Sequence, residues 1–312
     1  MADLPSVPAF VKYQVDGDAD QREVVARDGR SARHLWSLDT TGFELLSLPA
    51  PLEGDVLSLQ DIETKMYPAV GALVAKATGA RGRVIVYDHI VRDNGLLKQE
   101  IDQGIARTDA RAIPFFKKPC NYVHNDYTVR SGFTRTQQLL SPYSTELELE
   151  GAMKGRFAII NFWYPLSPVE RDPLGCVTWA STRPRDVQTI RYHYLATDRT
   201  GEIYDARYNP DHDWVYFSGM DSSEALLFKL FDLDQSVARF ALHSALDVQG
   251  VEPGLSQRRS IEIRSIVFYE ETPDNFVADF VAPHLLLNSS DADEAEGMVR
   301  QHEEVLPLGD EY

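Results

Sequence analysis

From residue 156 onward the chain is a succession of short apolar, aromatic and β-branched runs, and this constrains the fold more than any other feature. RFAIINFWYPL, TIRYHYLAT, EIYDARYN, DWVYF, ALLFKLFD, RFALHSALDV and SIEIRSIVFYE follow one another at near-even spacing. TIRYHYLAT and EIYDARYN flank Asp198-Arg199-Thr200-Gly201, which reads as a hairpin with glycine at the turn. Many short strands so arranged predict a closed or sandwiched, mostly β architecture of jelly-roll or barrel type. At 312 residues the chain is long for one domain, yet a barrel or jelly roll with flanking helices reaches that size.

The first 60 residues read as β-rich, with TGFELLSLP as a strand. Ile62, Met66, Val70, Leu73, Val74 and Ala77 then follow helical spacing. Ser58 to Asp61 resembles an N-cap region and Gly79 a stop. RVIVYDHIV (83–91) predicts a buried strand, and a stretch rich in Asp, Lys and Arg leads to KKPCNYVHNDYT. The expected organisation is one domain over 1–312: a β/α flank at 1–110, a β core at 111–270 and an acidic extension at 271–312. Phe276, Val277, Phe280, Val281, Leu285, Leu286 and Leu287 would let 271–287 form a helix against the barrel or a second subunit, so a homodimer is an expected assembly.

The net charge of −17 repels phosphate backbones and argues against nucleic acid as a partner. Cys120 and Cys176 are too few for a disulfide framework and form no CxxC pair, which fits a reduced, cytoplasmic protein. The first residues lack a basic segment followed by an apolar core, so no secretion signal is read. No apolar run is long enough for a membrane span. GxGxxG, Walker and GxSxG motifs are absent, which removes the common nucleotide-binding and serine-hydrolase readings.

Chemistry falls to the eight histidines, at 34, 89, 124, 193, 212, 243, 284 and 302. His124 and Asp126 are one residue apart, and positions i and i+2 of a strand share a face. A histidine from a distant strand would complete a two-His-one-carboxylate facial set, which leaves metal positions open for co-substrate and dioxygen. His243, in the apolar RFALHSALDV, is the candidate. His212 has Asp only at adjacent positions, which point the other way on a strand; His193 sits between aromatics, and His89 has Asp88 alone. Arg258-x-Ser260 follows His243, and a guanidinium fork with a hydroxyl suits a dicarboxylate such as 2-oxoglutarate. Arg264 shares that face and competes for the role. Arg130, Lys118 and Arg156 are candidate contacts for an acidic substrate group, and Trp163, Tyr164, Trp214 and Tyr216 for a pocket wall.

VHNDYT, GRFAIINFWYPL, YNPDHDWVYFSGMDSSEALLFKLFD, RFALHSAL and RRSIEIRSIVFYE occur in order, and over residues 30–270 the chain resembles the CmcJ/AsaB/NvfI-type, gibberellin-desaturase-like family. The resemblance implies a double-stranded β-helix, Fe(II), and 2-oxoglutarate and O2 as co-substrates. It implies oxidation of a small molecule by hydroxylation, desaturation or oxidative cyclisation, including endoperoxide and aziridine formation. The matching iron ligands are His124, Asp126 and His243, and the matching co-substrate residues are Arg258 and Ser260. After the Trp of the NxW phrase the family often has Arg; Tyr164 stands here, implying that co-substrate or substrate is bound differently. A 2-oxoglutarate-independent iron oxidase and a non-catalytic β-barrel binding protein are the competing readings.

Overall fold

A computed structural model describes residues 4–15, 18–80, 83–102, 116–194, 199–252 and 254–269. The expected acidic extension and its helix, with His284 and His302, lie outside the described residues. Fifteen described strands form two sheets. The nine-stranded sheet runs β14 (Asp247–Val248), β1 (Ser6–Val15), β2 (Asp18–Asp28), β11 (Trp214–Tyr216), β8 (Leu174–Val177), β13 (His243–Ala245), β6 (His124–Asn125), β10 (Arg199–Ala206), β9 (Val187–Tyr194). The six-stranded sheet runs β3 (Phe43–Ser47), β12 (Glu224–Asp232), β7 (Phe157–Pro165), β15 (Arg259–Phe268), β4 (Val84–Asp93), β5 (Phe116–Lys117). Among the described strand pairs, β2–β11 and β4–β5 are parallel and the others antiparallel. Of the strands from the first 110 residues, β1 and β2 join the nine-stranded sheet and β3 and β4 the six-stranded one.

Strand alternation divides the apolar side chains into two cores. One fills the space between the sheets, with Val11, Tyr13 and Trp214 from the first and Phe157, Ile159, Trp163 and Phe228 from the second. The other lies on the outer face of the six-stranded sheet, where Ile160, Phe162, Tyr164, Leu227, Ile261 and Ile263 meet a helical layer. That layer is α1 (Leu59–Asp61), a π-helical turn (Ile62–Met66) and α2 (Tyr67–Thr78). It presents Ile62, Met66, Val70 and Val74, all buried, each contributing about 1.5–3 kcal/mol by leaving water. The Ser58 side chain accepts from the Asp61 N–H at its start, and Gly79 ends it at φ 64°. With both faces covered, all nine residues of β7 are buried, so FAIINFWYP reads as one apolar run without alternation.

Three expectations change. β4 is half-buried along most of its length and becomes buried only at Val91–Asp93, beside β15. RFALHSALDV is two strands, because β13 pairs with β6 and β8 while β14 pairs with β1. The polar stretch after β4 contains helix α3 (Asn94–Asp102). Two further helices, α4 (Val129–Leu140) and α5 (Glu146–Lys154), start on the capping boxes Thr128/Ser131 and Thr145/Glu148. No helix among the described residues is long and apolar enough to cross a membrane.

Candidate active site

His124 on β6 stands directly opposite His243 on β13, so adjacent strands place both rings on one face with centroids 4.4 Å apart. Each ring is oriented in the same way. Nδ1 of His124 meets the Tyr122 carbonyl at 2.8 Å, and Nδ1 of His243 meets the Ala241 carbonyl at 3.0 Å. A carbonyl can only accept, so each Nδ1 carries a proton and each Nε2 is the atom that would face a metal. Burial acts to lower His124, but Cys120 and Asp126 outweigh it and hold it well above the usual imidazole range, so its Nε2 gives up a proton when a cation binds. Strand β6 ends at Asn125, and Asp126 follows in a bend whose outgoing chain is fixed by the Thr128 cap of α4. Its Oδ1 lies 3.3 Å from His124 Nε2. One ligand atom from each of His124, Asp126 and His243 falls within 4.8 Å of the others, close enough for a single ion.

The second oxygen of Asp126 belongs to the other sheet. Arg264 of β15 donates to Oδ2 through Nη2 at 2.7 Å and Nε at 3.0 Å, and through Nη1 to Asp88 Oδ2 at 2.8 Å. Burial acts to raise the Asp126 carboxyl, but Arg264 and His124 outweigh it and hold it well below the usual carboxylate range. Burial, followed by the neighbouring His124, pushes His243 down to about 4. Asp126 is therefore a carboxylate and His243 a neutral imidazole at neutral pH, the forms a divalent cation requires.

Arg258, Ser260, Glu262 and Arg264 alternate along β15 and the residue before it, which puts all four on the face toward the first sheet. Ser260 is 0% exposed, and its hydroxyl has no partner among the described residues. Arg258 is 2% exposed. It donates through Nη1 to the Asp172 carbonyl at 2.7 Å and sits 5.5 Å over the Trp163 ring, while its Nε is unpartnered. Glu262, between Ser260 and Arg264 along β15, is neutralised by Arg92 at 2.5 Å. Buried donors left unmade on a guanidinium and a nearby hydroxyl have the chemistry of a carboxylate receptor.

The other sequence candidates lie elsewhere, and these are corrections. Tyr164 faces away from Trp163, as alternation requires; its hydroxyl donates to the Ser222 carbonyl and accepts from the Leu52 N–H in the outer core. Arg130 is exposed on α4, 3.8 Å from Glu202. Arg156 is buried just before β7, paired with Asp232 and Asp39 at the opposite end of that strand from Trp163. Lys118 is exposed. Trp214 donates to Tyr13 inside the first core, and His212 bonds Tyr13 and Asp186 rather than its neighbours in sequence. Arg264, the competitor for the dicarboxylate, is committed to Asp126 and Asp88. Sequence reasoning missed Asp88, Arg92, Asn161 and Glu262; the available signal was a polar residue at an inward position of an apolar strand.

Residues 5–268 match the family described as oxidoreductase/YMDC permease-like domain. The hydroxylase/desaturase efuI of Hormonema carpetanum is 29% identical over 80% of this chain and 84% of its own. The alpha-ketoglutarate-dependent dioxygenase tstK of Talaromyces stipitatus is 27% identical over 79% of this chain and 84% of its own. Among solved structures, the iron and alpha-ketoglutarate-dependent endoperoxidase NvfI superposes with a TM-score of 0.69 at 20% identity, covering 85% of this chain and 97% of that one. The chain belongs to the oxidoreductase/YMDC permease-like domain family, the group its motifs resemble, and is built on a double-stranded β-helix.

Proposed function

We propose that this protein is an Fe(II)- and 2-oxoglutarate-dependent oxygenase that oxidises an unactivated C–H bond of a small molecule. One observation carries the reading: three metal-ligating atoms gathered on one sheet face a row of unpartnered buried donors on the other. The donor set fits iron, since two imidazoles and one carboxylate on neighbouring positions leave coordination sites open. The receptor fits 2-oxoglutarate, since Arg258 and Ser260 match a carboxylate and Arg264 is already used. A divalent cation and a dianion also bring equal and opposite charge, so the buried cluster stays balanced when both enter.

Iron with 2-oxoglutarate and dioxygen supplies the power to remove a hydrogen atom from carbon. The chain's own residues do the rest. His124 and His243 bind through Nε2 while backbone carbonyls fix their rings. Asp126 binds through one oxygen while Arg264 holds the other, which keeps that carboxylate turned toward the metal. Arg258 and Ser260 grip the distal carboxylate and so set its angle to the metal. Phe228, 4.6 Å from the His243 ring, and Trp163 exclude water from the walls.

Relatives named hydroxylase/desaturase and dioxygenase support hydroxylation, desaturation or oxidative cyclisation of an amino-acid-derived or other specialised metabolite. The net charge disfavours nucleic acid as a partner, and the low cysteine count, with no CxxC pair, favours the cytoplasm. A homodimer remains part of the proposal. The test is turnover: with Fe(II), succinate forms from 2-oxoglutarate, stimulated by members of a panel of amino acids and peptide-like acids. Stimulated O2 uptake without succinate would contradict the co-substrate assignment.

A further inference from the structure

Asn161 lies midway along β7 in a run that is otherwise apolar, is 0% exposed, and has no hydrogen-bond partner for either amide atom among the described residues. Reversing the amide cannot help, because Oδ1 and Nδ2 are both unmade. An unpaired buried amide is costly, so such a group in a native strand calls for something that is not protein. Its neighbours locate it. Across to β15 its partner is Arg264, which holds Asp126. Across to β12 its partner is Phe228, which packs on His243. Both flanking residues touch metal ligands, so the Asn161 side chain lies at the metal-proximal end of the inner face. Two residues on, Trp163 shares that face; its Nε1 is also buried and unpartnered, and its ring underlies Arg258. The unmade donors thus run in order from the iron ligands to the distal carboxylate receptor: Asn161, Trp163, then Ser260 and Arg258.

We infer that Asn161 is a ligand-contacting residue, hydrogen-bonding bound 2-oxoglutarate at its metal-proximal end, with Trp163 Nε1 the next donor along the row. The inference rests on the proposed co-substrate. Nδ2 donates to an oxygen of the keto-acid head, and the near-linear order of donors selects an extended acceptor-rich chain over a compact anion. Arg264 is a weaker candidate for this contact, since Nε, Nη1 and Nη2 each already donate to a carboxylate.

The experiment is anaerobic titration of the full-length protein with Fe(II), then with 2-oxoglutarate, followed by calorimetry and by thermal shift. Asn161→Leu keeps the number and branching of the side-chain heavy atoms and removes both polar amide atoms. The expected result is a 2-oxoglutarate Kd raised about 10- to 100-fold, or ~1.4–2.8 kcal/mol. Fe(II) affinity is expected unchanged, and the ligand-free melting temperature no lower than wild type. Should Asn161→Leu not fold, Asn161→Asp is isosteric, replaces the donor by a carboxylate, and weakens 2-oxoglutarate at least as much. A Kd within twofold of wild type in a folded variant overturns the inference and leaves the co-substrate reading intact. Failure of the iron-loaded wild type to bind 2-oxoglutarate overturns both.

Discussion

Replacing Arg258 by methionine separates a receptor from a structural cation. The guanidinium is buried and makes no ion pair among the described residues. Burial first, and Arg92 second, depress its pKa to about 10. Set against an ordinary guanidinium, that is a penalty of about 3 kcal/mol on the charged form. For a cation the sign is clear: a lowered folded-state pKa destabilises the fold at every pH below about 10. Part of this is offset by the Asp172 carbonyl and the Trp163 face. Arg258→Met, which preserves length and apolar contact, should therefore leave the ligand-free protein as stable as wild type or a few degrees more so, at about 2–4 °C per kcal/mol. The same change removes two charge-assisted hydrogen bonds to the dicarboxylate, at ~1.5–3 kcal/mol each. The 2-oxoglutarate Kd should rise at least about 100-fold, with Fe(II) affinity unchanged. Anaerobic calorimetry and thermal melts read both quantities. A variant that melts lower yet binds 2-oxoglutarate as wild type does would refute the receptor assignment.

Arg264→Gln releases the outer oxygen of Asp126, so Fe(II) affinity should fall about 10- to 100-fold, as supports of metal ligands typically show; metal-binding isotherms check this. Glu262 should govern part of the acid limb of stability. Burial acts to raise its pKa, yet Arg92 and Arg264 hold it at about 2, below an ordinary 4.5. Its roughly 3 kcal/mol is therefore present above pH 4.5 and lost as pH falls toward 2; Glu262→Gln should melt lower at neutral pH and show a flatter acid limb in pH-dependent denaturation. Gly132→Ala in α4 would gain helix propensity, but the new Cβ meets the Phe231 ring at 2.6 Å. A net loss of about 1–3 kcal/mol in urea unfolding is expected.

The candidate metal set was only partly legible as local geometry. His124 and His243 lie on strands, but Asp126 stands in the bend after β6, held there by Arg264 rather than by strand alternation. The outer core was readable at Ile62, Met66, Val70 and Val74, since helical period alone selects them. Arg258 and Arg264 could not be separated, because alternation gives both the same face; only Asp126 and Asp88, brought in from other strands, tell them apart. Tyr164 was assigned to the pocket beside Trp163 although neighbours in a strand point oppositely, so that error was avoidable. Arg130 and Arg156 depended on helix α4 and on the Asp39 and Asp232 contacts, which come from distant chain segments. Asn161 was hidden by its surroundings: nine consecutive buried residues look like core, and only the cross-strand partners reveal that one of them faces the iron ligands.

The most direct measurement is iron stoichiometry under strictly anaerobic conditions, by equilibrium dialysis of the full chain against Fe(II). The account predicts about one iron per chain in wild type, with binding abolished separately in His124→Ala, Asp126→Ala and His243→Ala while each variant keeps a cooperative melt. Wild-type protein without iron, or a folded His243→Ala variant that binds it as tightly as wild type, would contradict the metal centre on which the function rests.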